Sequence, residues 1–261
     1  MPDVPHIPHI LISNDDGIYA AGLRALVEAV KDLGTVSIVA PSQERSAAAQ
    51  SLTIRQPIFC EQVAEREWSI EGTPTDAMII ALHRLFPPPN RPDLVISGIN
   101  RGANMGENVF YSGTVGAAME ATINRVPALA ISLAHHDASN AFESAAQFAR
   151  RLAQVALSEG LPEGVLLNVN VPLNWRGGVR FTRQSKKVTR NVLAEGVDPR
   201  GRTYYWLSEQ QFTGGIDPES DYAAVFDGDV SITPLELDRT HETSLNHLSH
   251  WAKQLERPRE V

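Results

Sequence analysis

The sequence predicts an α/β fold: a Rossmann-like three-layer sandwich on a mostly parallel sheet, followed by a C-terminal extension. Two observations predict the core. Short apolar runs alternate with longer stretches whose apolar residues recur at helical spacing. The apolar runs are continuous rather than alternating, as in strands buried on both faces. A third observation sets the extension apart, because this rhythm stops after about residue 172.

Taken in order, residues 9–13 (HILIS) read as a buried strand, 20–33 as a helix and 36–40 (VSIVA) as a second strand. The pieces SLTIRQPIFC and EWSIEG, within 51–72, read as strand segments, a hairpin beside the main sheet. Residues 75–86 read as a helix, 93–97 (DLVIS) as a strand, 114–124 as a helix and 128–132 (ALAIS) as a strand. A long helix over 141–157 and a strand over 166–171 (LLNVNV) complete the core. Right-handed crossovers then make a doubly wound sheet the leading topology. Beyond 172, residues 180–189, 203–207 and 229–233 look extended among Gly, Pro and charged residues. They suit an antiparallel extension, or an arm that packs on a partner chain, better than a parallel sheet. An amphipathic helix is expected over 244–256. The division expected is one domain over 1–261, with a core over 1–172 and an extension over 173–261. No internal repeat interrupts it, and PPPNRP at 87–92 is a loop rather than a linker.

Composition narrows the function classes. With 43% hydrophobic and 21% charged residues, the chain has the balance of a globular protein and not of a disordered one. A formal net charge of -8 argues against nucleic acid polymers and anionic membranes as partners. Cys60 is the only cysteine, so no internal disulfide forms, which fits a reducing compartment. The opening MPDVPHIPHI lacks the basic start and apolar stretch of a signal peptide, and no apolar run is long enough to span a bilayer. The expectation is a soluble cytoplasmic protein.

Four loops carry the chemistry. Ser13-Asn14-Asp15-Asp16-Gly17 follows the first strand directly, at the strand end where parallel α/β folds bind ligands. Adjacent carboxylates there stay protonated unless a cation sits between them, and a hard divalent ion suits oxygen donors. A plain turn with a helix cap explains the same residues. The loop of DLVISGINRGANMG offers Asn100 as a metal ligand through its carbonyl and Asn104 as an amide donor to phosphate. Ser112-Gly113-Thr114 precedes a helix, where free N–H groups form an anion site, although for an isolated SGT simple capping is the better account. The polar loop PSQERSAAAQS brings Ser46 as a candidate ligand and Arg45 as a candidate phosphate contact. Read alone, it is a surface loop. His135 and His136 follow ALAIS but read as solvated. Walker A, GxGxxG, GxSxG and HExxH patterns are all missing from the sequence.

In this order, the stretches ILISNDDGIYAAGLRAL, VAPSQERSAAAQSLT, GTPTDA, PDLVISGINRGANMGENVFYSGTVGAAMEA and DGDVSITPL resemble the SurE (survival protein E) family of nucleotidases. The resemblance implies one divalent metal per subunit, Mg²⁺ or Mn²⁺, held by Asp15, Asp16, Ser46 and Asn100. It implies phosphate binding by Asn104 and Ser112, Gly113 and Thr114. It implies hydrolysis of nucleoside 5′- or 3′-monophosphates, and in some members of short polyphosphate. It also implies a homodimer or homotetramer that exchanges a C-terminal arm. Ser13 stands where Thr is common in the family, and the N-terminus carries a few extra residues.

On this reading Asp15 or Asp16 orients or deprotonates the attacking water, while Asn104, Ser112 and Thr114 stabilise the phosphoryl oxygens. Two other readings compete. An aspartyl-phosphate-forming phosphatase places its acids as DxD, whereas here they are adjacent. A non-catalytic nucleotide sensor binds the same ligand and releases it unchanged.

Overall fold

The structure is a computed structural model that describes residues 6–135, 142–186, 189–211 and 216–256. The first strand, β1 (His9–Ser13), shows why the core runs are apolar at every position. Ile10 and Ile12 pack on one face of the sheet, and Leu11 packs on the other. A strand covered on both sides has no polar face to offer.

The chain continues through α1 (Ala21–Val30), β2 (Thr35–Pro41), the hairpin of β3 (Cys60–Ala64) and β4 (Glu67–Ile70), and α2 (Pro74–Ile80). Then follow β5 (Leu94–Arg101), α3 (Gly113–Ile123), β6 (Ala128–Leu133), α4 (Glu143–Glu159) and β7 (Val165–Val171). The extension contributes β8 (Val179–Phe181), β9 (Thr189–Val197), β10 (Thr203–Gln211), α5 (Asp221–Phe226), β11 (Val230–Glu236), α6 (Glu242–Leu248) and α7 (Trp251–Leu255).

Among the described residues, nine strands form one sheet in the order β3-β4-β2-β1-β5-β6-β7-β11-β8. The run from β4 to β7 is parallel throughout. Leu23, Leu26 and Val30 of α1 and Phe148 and Leu152 of α4 pack on one face. Ala77 and Met78 of α2 and Val115 and Ala118 of α3 pack on the other. These are the three layers expected. The chain winds outward from β1 to β2 on one side and from β5 to β6 on the other. The C-terminal ends of β1 and β5 therefore flank the switch point, where this topology opens a crevice.

Several expectations change in detail. Residues 51–59 are not strand, and the hairpin begins only at Cys60. The predicted helix over 75–86 begins at Pro74, held by a capping box between Thr73 and Asp76, and closes in a wider turn over Ala81–Leu85. The expected terminal helix is two short helices, and α6 has no buried residue. Helix α5, inside the extension, had no periodic signal long enough to mark it. Ala141, Lys187, Val188 and His136 lie outside the described residues.

The extension does join the main sheet. β11 runs antiparallel to β7 and carries β8 on its far side. β9 and β10 form a separate antiparallel ribbon. In that ribbon Gly196 stands opposite Tyr204, whose ring fills the space a Cβ at Gly196 would need. No helix among the described residues is long and apolar enough to cross a membrane.

Candidate active site

The NDDG turn is built by its own asparagine. Asn14 accepts from Gly17 N and donates to Gly17 O, at 3.2 and 3.0 Å. Gly17 takes φ 102°, a conformation that glycine adopts without steric cost. The turn leaves Asp15 buried and Asp16 half-buried at the end of β1. Ile18 N donates to Pro41 O at 2.8 Å, and Arg45 N to Asp15 O at 2.7 Å, so the loop after β2 is tied to the same turn.

Asn100 reaches the site through a local irregularity in β5. The pairing with β6 shifts between Ser97 and Asn100. Gly98 lies there at φ 140°, and a Cβ on it would stand 2.4 Å from Ile131 O. Asn100 spends its Nδ2 on Gly102 O at 2.8 Å, which leaves Oδ1 as its remaining polar atom.

Asp15, Asp16, Ser46, Asn100, Asn104 and Ser112 all line one cavity of about 750 Å³. The loops that appeared separate in sequence thus meet on one rim. Gly113 and Thr114 sit behind Asp15 instead, off the lining. The fully buried Thr114 hydroxyl donates a short hydrogen bond to Asp15 Oδ1. The backbone N–H groups of Gly113 and Thr114 also favour the ionised form of that carboxylate. The N-terminus of α3 is therefore aimed at Asp15, and Ser112 caps it by accepting from Val115 N at 3.1 Å. Arg45 does not line the cavity, and its Nε is buried with no hydrogen-bond partner among the described residues. His135 is likewise off the lining.

Electrostatics favour a cation. Burial pushes the Asp15 carboxyl above the usual carboxylate range, against the pull of Thr114. Burial, followed by the charge of Asp15, raises Asp16 to about 6. Placing a positive ion between them removes both penalties. Among the described residues no three His, Cys, Asp or Glu side chains converge as a metal-binding group. The candidate donors on the lining are instead two carboxylates, a neutral hydroxyl and an amide carbonyl. All four donors are oxygens, the set a hard divalent ion takes.

Sequence reading missed the supports of the site. Asn104 N donates to Asn170 Oδ1 at 2.8 Å, its Nδ2 donates to Ser132 Oγ at 2.8 Å, and its carbonyl accepts from Asn168 and Asn170. The signal was available, since asparagines two apart in the apolar run LLNVNV put two polar groups on one face of a buried strand. The buried Asp221 of α5 accepts from Gly106 N, and Gln184 donates to Gly106 O. The extension thereby clamps the loop that follows Asn104. Glu44 and Arg101 also line the cavity, and Arg101 is the one cationic side chain among its described lining residues. Tyr111, Phe142 and, from the ribbon, Leu207 give it apolar walls.

A family model described as "Survival protein SurE" matches residues 10–191. The protein called "5'-nucleotidase SurE" of Pelobacter propionicus is 44% identical over 246 residues, covering 93% of this chain and 99% of its own. The protein of that name in Desulforudis audaxviator is 46% identical over 251 residues, covering 93% of this chain and 96% of its own. Among solved structures, the SurE protein of Aquifex aeolicus superposes with a TM-score of 0.84 at 35% identity, over 94% of this chain and 100% of that one.

Proposed function

The chain belongs to the SurE family, and from that membership we propose that it is a metal-dependent 5′-nucleotidase, a phosphomonoesterase acting on nucleoside monophosphates. The observation that carries the reading is the convergence of Asp15, Asp16, Ser46 and Asn100 on one cavity at the switch point of the sheet. These four residues would hold one divalent ion, Mg²⁺ or Mn²⁺. Such an ion supplies positive charge for the phosphoryl oxygens and lowers the pKa of a water.

The protein's own groups do the rest. Thr114 and the N-terminus of α3 favour the ionised form of Asp15 against the opposing effect of its burial. Asp16, the more open of the two acids, orients the attacking water and takes its proton. Asn104, Ser112 and Arg101 on the lining receive the phosphate, with Asn104 held in place by β6 and β7. Tyr111, Phe142 and Leu207 leave apolar surface for the nucleoside. Action on 3′-monophosphates and on short polyphosphate belongs to the same proposal, since the residues assigned to the reaction would all act on the phosphoryl group.

The chain acts as one domain, with a core over 1–172 and an extension over 173–261. The pairing of β11 with β7 supports this division, because it closes the two parts into one sheet. The exposed apolar residues of the ribbon support a homodimer or homotetramer that exchanges this arm. The single cysteine supports a cytoplasmic setting.

Phosphate release from a panel of nucleoside monophosphates, with Mn²⁺, with Mg²⁺ and with chelator, tests the reading. Metal-dependent release is expected, and Asp15→Asn should lower turnover at least about a hundredfold with the fold intact. Nucleotide bound and returned unchanged, with every metal, would identify a sensor. A trapped phosphoenzyme would identify an aspartyl-phosphate mechanism.

A further inference from the structure

We propose that Glu44 is a positioning residue for this centre: its carboxylate accepts the hydroxyl proton of Ser46 and turns a lone pair of Ser46 Oγ toward the metal. The proposal deepens the reading above and rests on it. A neutral serine has one O–H donor and two lone pairs. When one lone pair faces a cation, the hydrogen must point away from it, and an acceptor must be waiting there. Ser46 Oγ donates to Glu44 Oε1 at 2.5 Å, the length of a charge-assisted bond. The proton stays on Ser46, and the carboxylate only orients it.

The backbone beneath the pair is already fixed. Arg45 N is tied to Asp15 O at 2.7 Å and Ala49 N to Tyr111 O at 3.0 Å. Ala47 and Ala49 stand at φ 56° and 51°, a left-handed conformation uncommon for residues with a Cβ. Thr53 N donates to the buried Asp76 at 3.0 Å and closes the loop from its other end. With the chain held at these points, the freedom left at Ser46 is its side-chain torsion and its hydroxyl rotor. Glu44 restricts both. This matches the way outer carboxylates orient the groups that touch a metal.

Glu44 also lines the cavity, and its charge reaches Asp16. A purely electrostatic role is therefore the competing account, and a double-mutant cycle separates the two. The readout is the Mn²⁺ dissociation constant by calorimetry, without substrate, on the full chain. Melting curves in chelator confirm that each variant is folded, and both side chains are exposed enough for the fold to tolerate their loss. Glu44→Ala and Ser46→Ala should each weaken binding on the order of 10–100-fold. The double variant should fall within about threefold of Ser46→Ala, because both changes remove the same ligand. Glu44→Gln keeps an acceptor oxygen without the charge and should stay within about threefold of the wild type. Losses that multiply in the double variant, or Glu44→Gln as weak as Glu44→Ala, would overturn the positioning role alone. A folded wild-type chain that binds no Mn²⁺ would overturn the metal-centre reading and this role with it.

Discussion

His9 opens β1 and shows how a single partly buried side chain ties stability to pH. Its Nε2 meets Ser37 Oγ at 2.9 Å and Arg66 Nη2 at 3.4 Å, and its ring packs edge-on against Phe86. Burial, and then the charge of Arg66, hold its pKa below the ordinary value of 6.5, although Asp93 pulls the other way. The unfolded chain therefore takes the proton more readily than the folded one. Stability contributed by neutral His9 is complete above about pH 6.5 and is lost as the pH falls through that value toward the folded pKa. Asp15 and Asp16, whose pKa values are raised, act in the opposite sense over the acid range. A comparison with His9→Gln isolates the histidine. Thermal melting from pH 7.5 to 5.5 should show the wild type losing more stability than the variant, and parallel losses would refute the assignment. None of this was legible in the sequence, where HILIS gives His9 as one residue of an apolar run. The neighbours that shift its pKa lie just before β4 and before β5.

Among the elements, α3 makes a close approach of backbone to backbone beside the site. A Cβ on Gly116 would stand 2.5 Å from Ala49 O and 3.0 Å from Ala49 C, so the loop bearing Ser46 rests directly on the helix. Gly116→Ala must push that loop away, since a backbone carbonyl cannot swing aside as a side-chain end can. The expected cost is about 1–3 kcal/mol of stability, by overpacking. Mn²⁺ affinity should fall as well, because Ser46 moves with the loop. Melting curves and metal titration check both, and unchanged metal affinity would show that the loop adjusts without moving its ligand. Core strands and helices of this kind were legible because periodicity and burial agree along them. The π-helical end of α2, the late start of β3 and the short α5 were not. Capping, pairing and packing against distant segments decide those, and none leaves a periodic trace.

For the whole molecule, the division between legible and hidden follows sequence distance. Asp15, Asp16, Ser46, Asn100, Asn104 and Ser112 each sit in a local motif at the end of a strand or before a helix, and the doubly wound topology gathers such ends by rule. The supports do not follow that rule. Asn170 holds Asn104 from 66 residues away, and Asp221 holds Gly106 from 115 away. Gly113 and Thr114 are expected as phosphate binders from the family resemblance and from their place at a helix N-terminus, and in the folded protein the same N-terminus also meets the carboxylate of Asp15. The ribbon of β9 and β10 poses the remaining question at this scale. A two-stranded ribbon is marginal in water without a surface to pack on. This one exposes Leu193, Tyr205 and Trp206, each by more than half. Such a concentration of large apolar side chains on an arm outside the main sheet calls for a cover, and under the proposal above a second copy of the chain would supply one by exchange. Light scattering after size exclusion should then give a dimer or tetramer for the wild type. Trp206→Glu should shift the population toward monomer at equal concentration, because a carboxylate replaces the largest exposed apolar side chain described on the arm. The main sheet should melt nearly unchanged, since Trp206 lies in the separate ribbon. A wild-type chain that is monomeric at every concentration would refute exchange, and the ribbon would then have to be covered within its own chain.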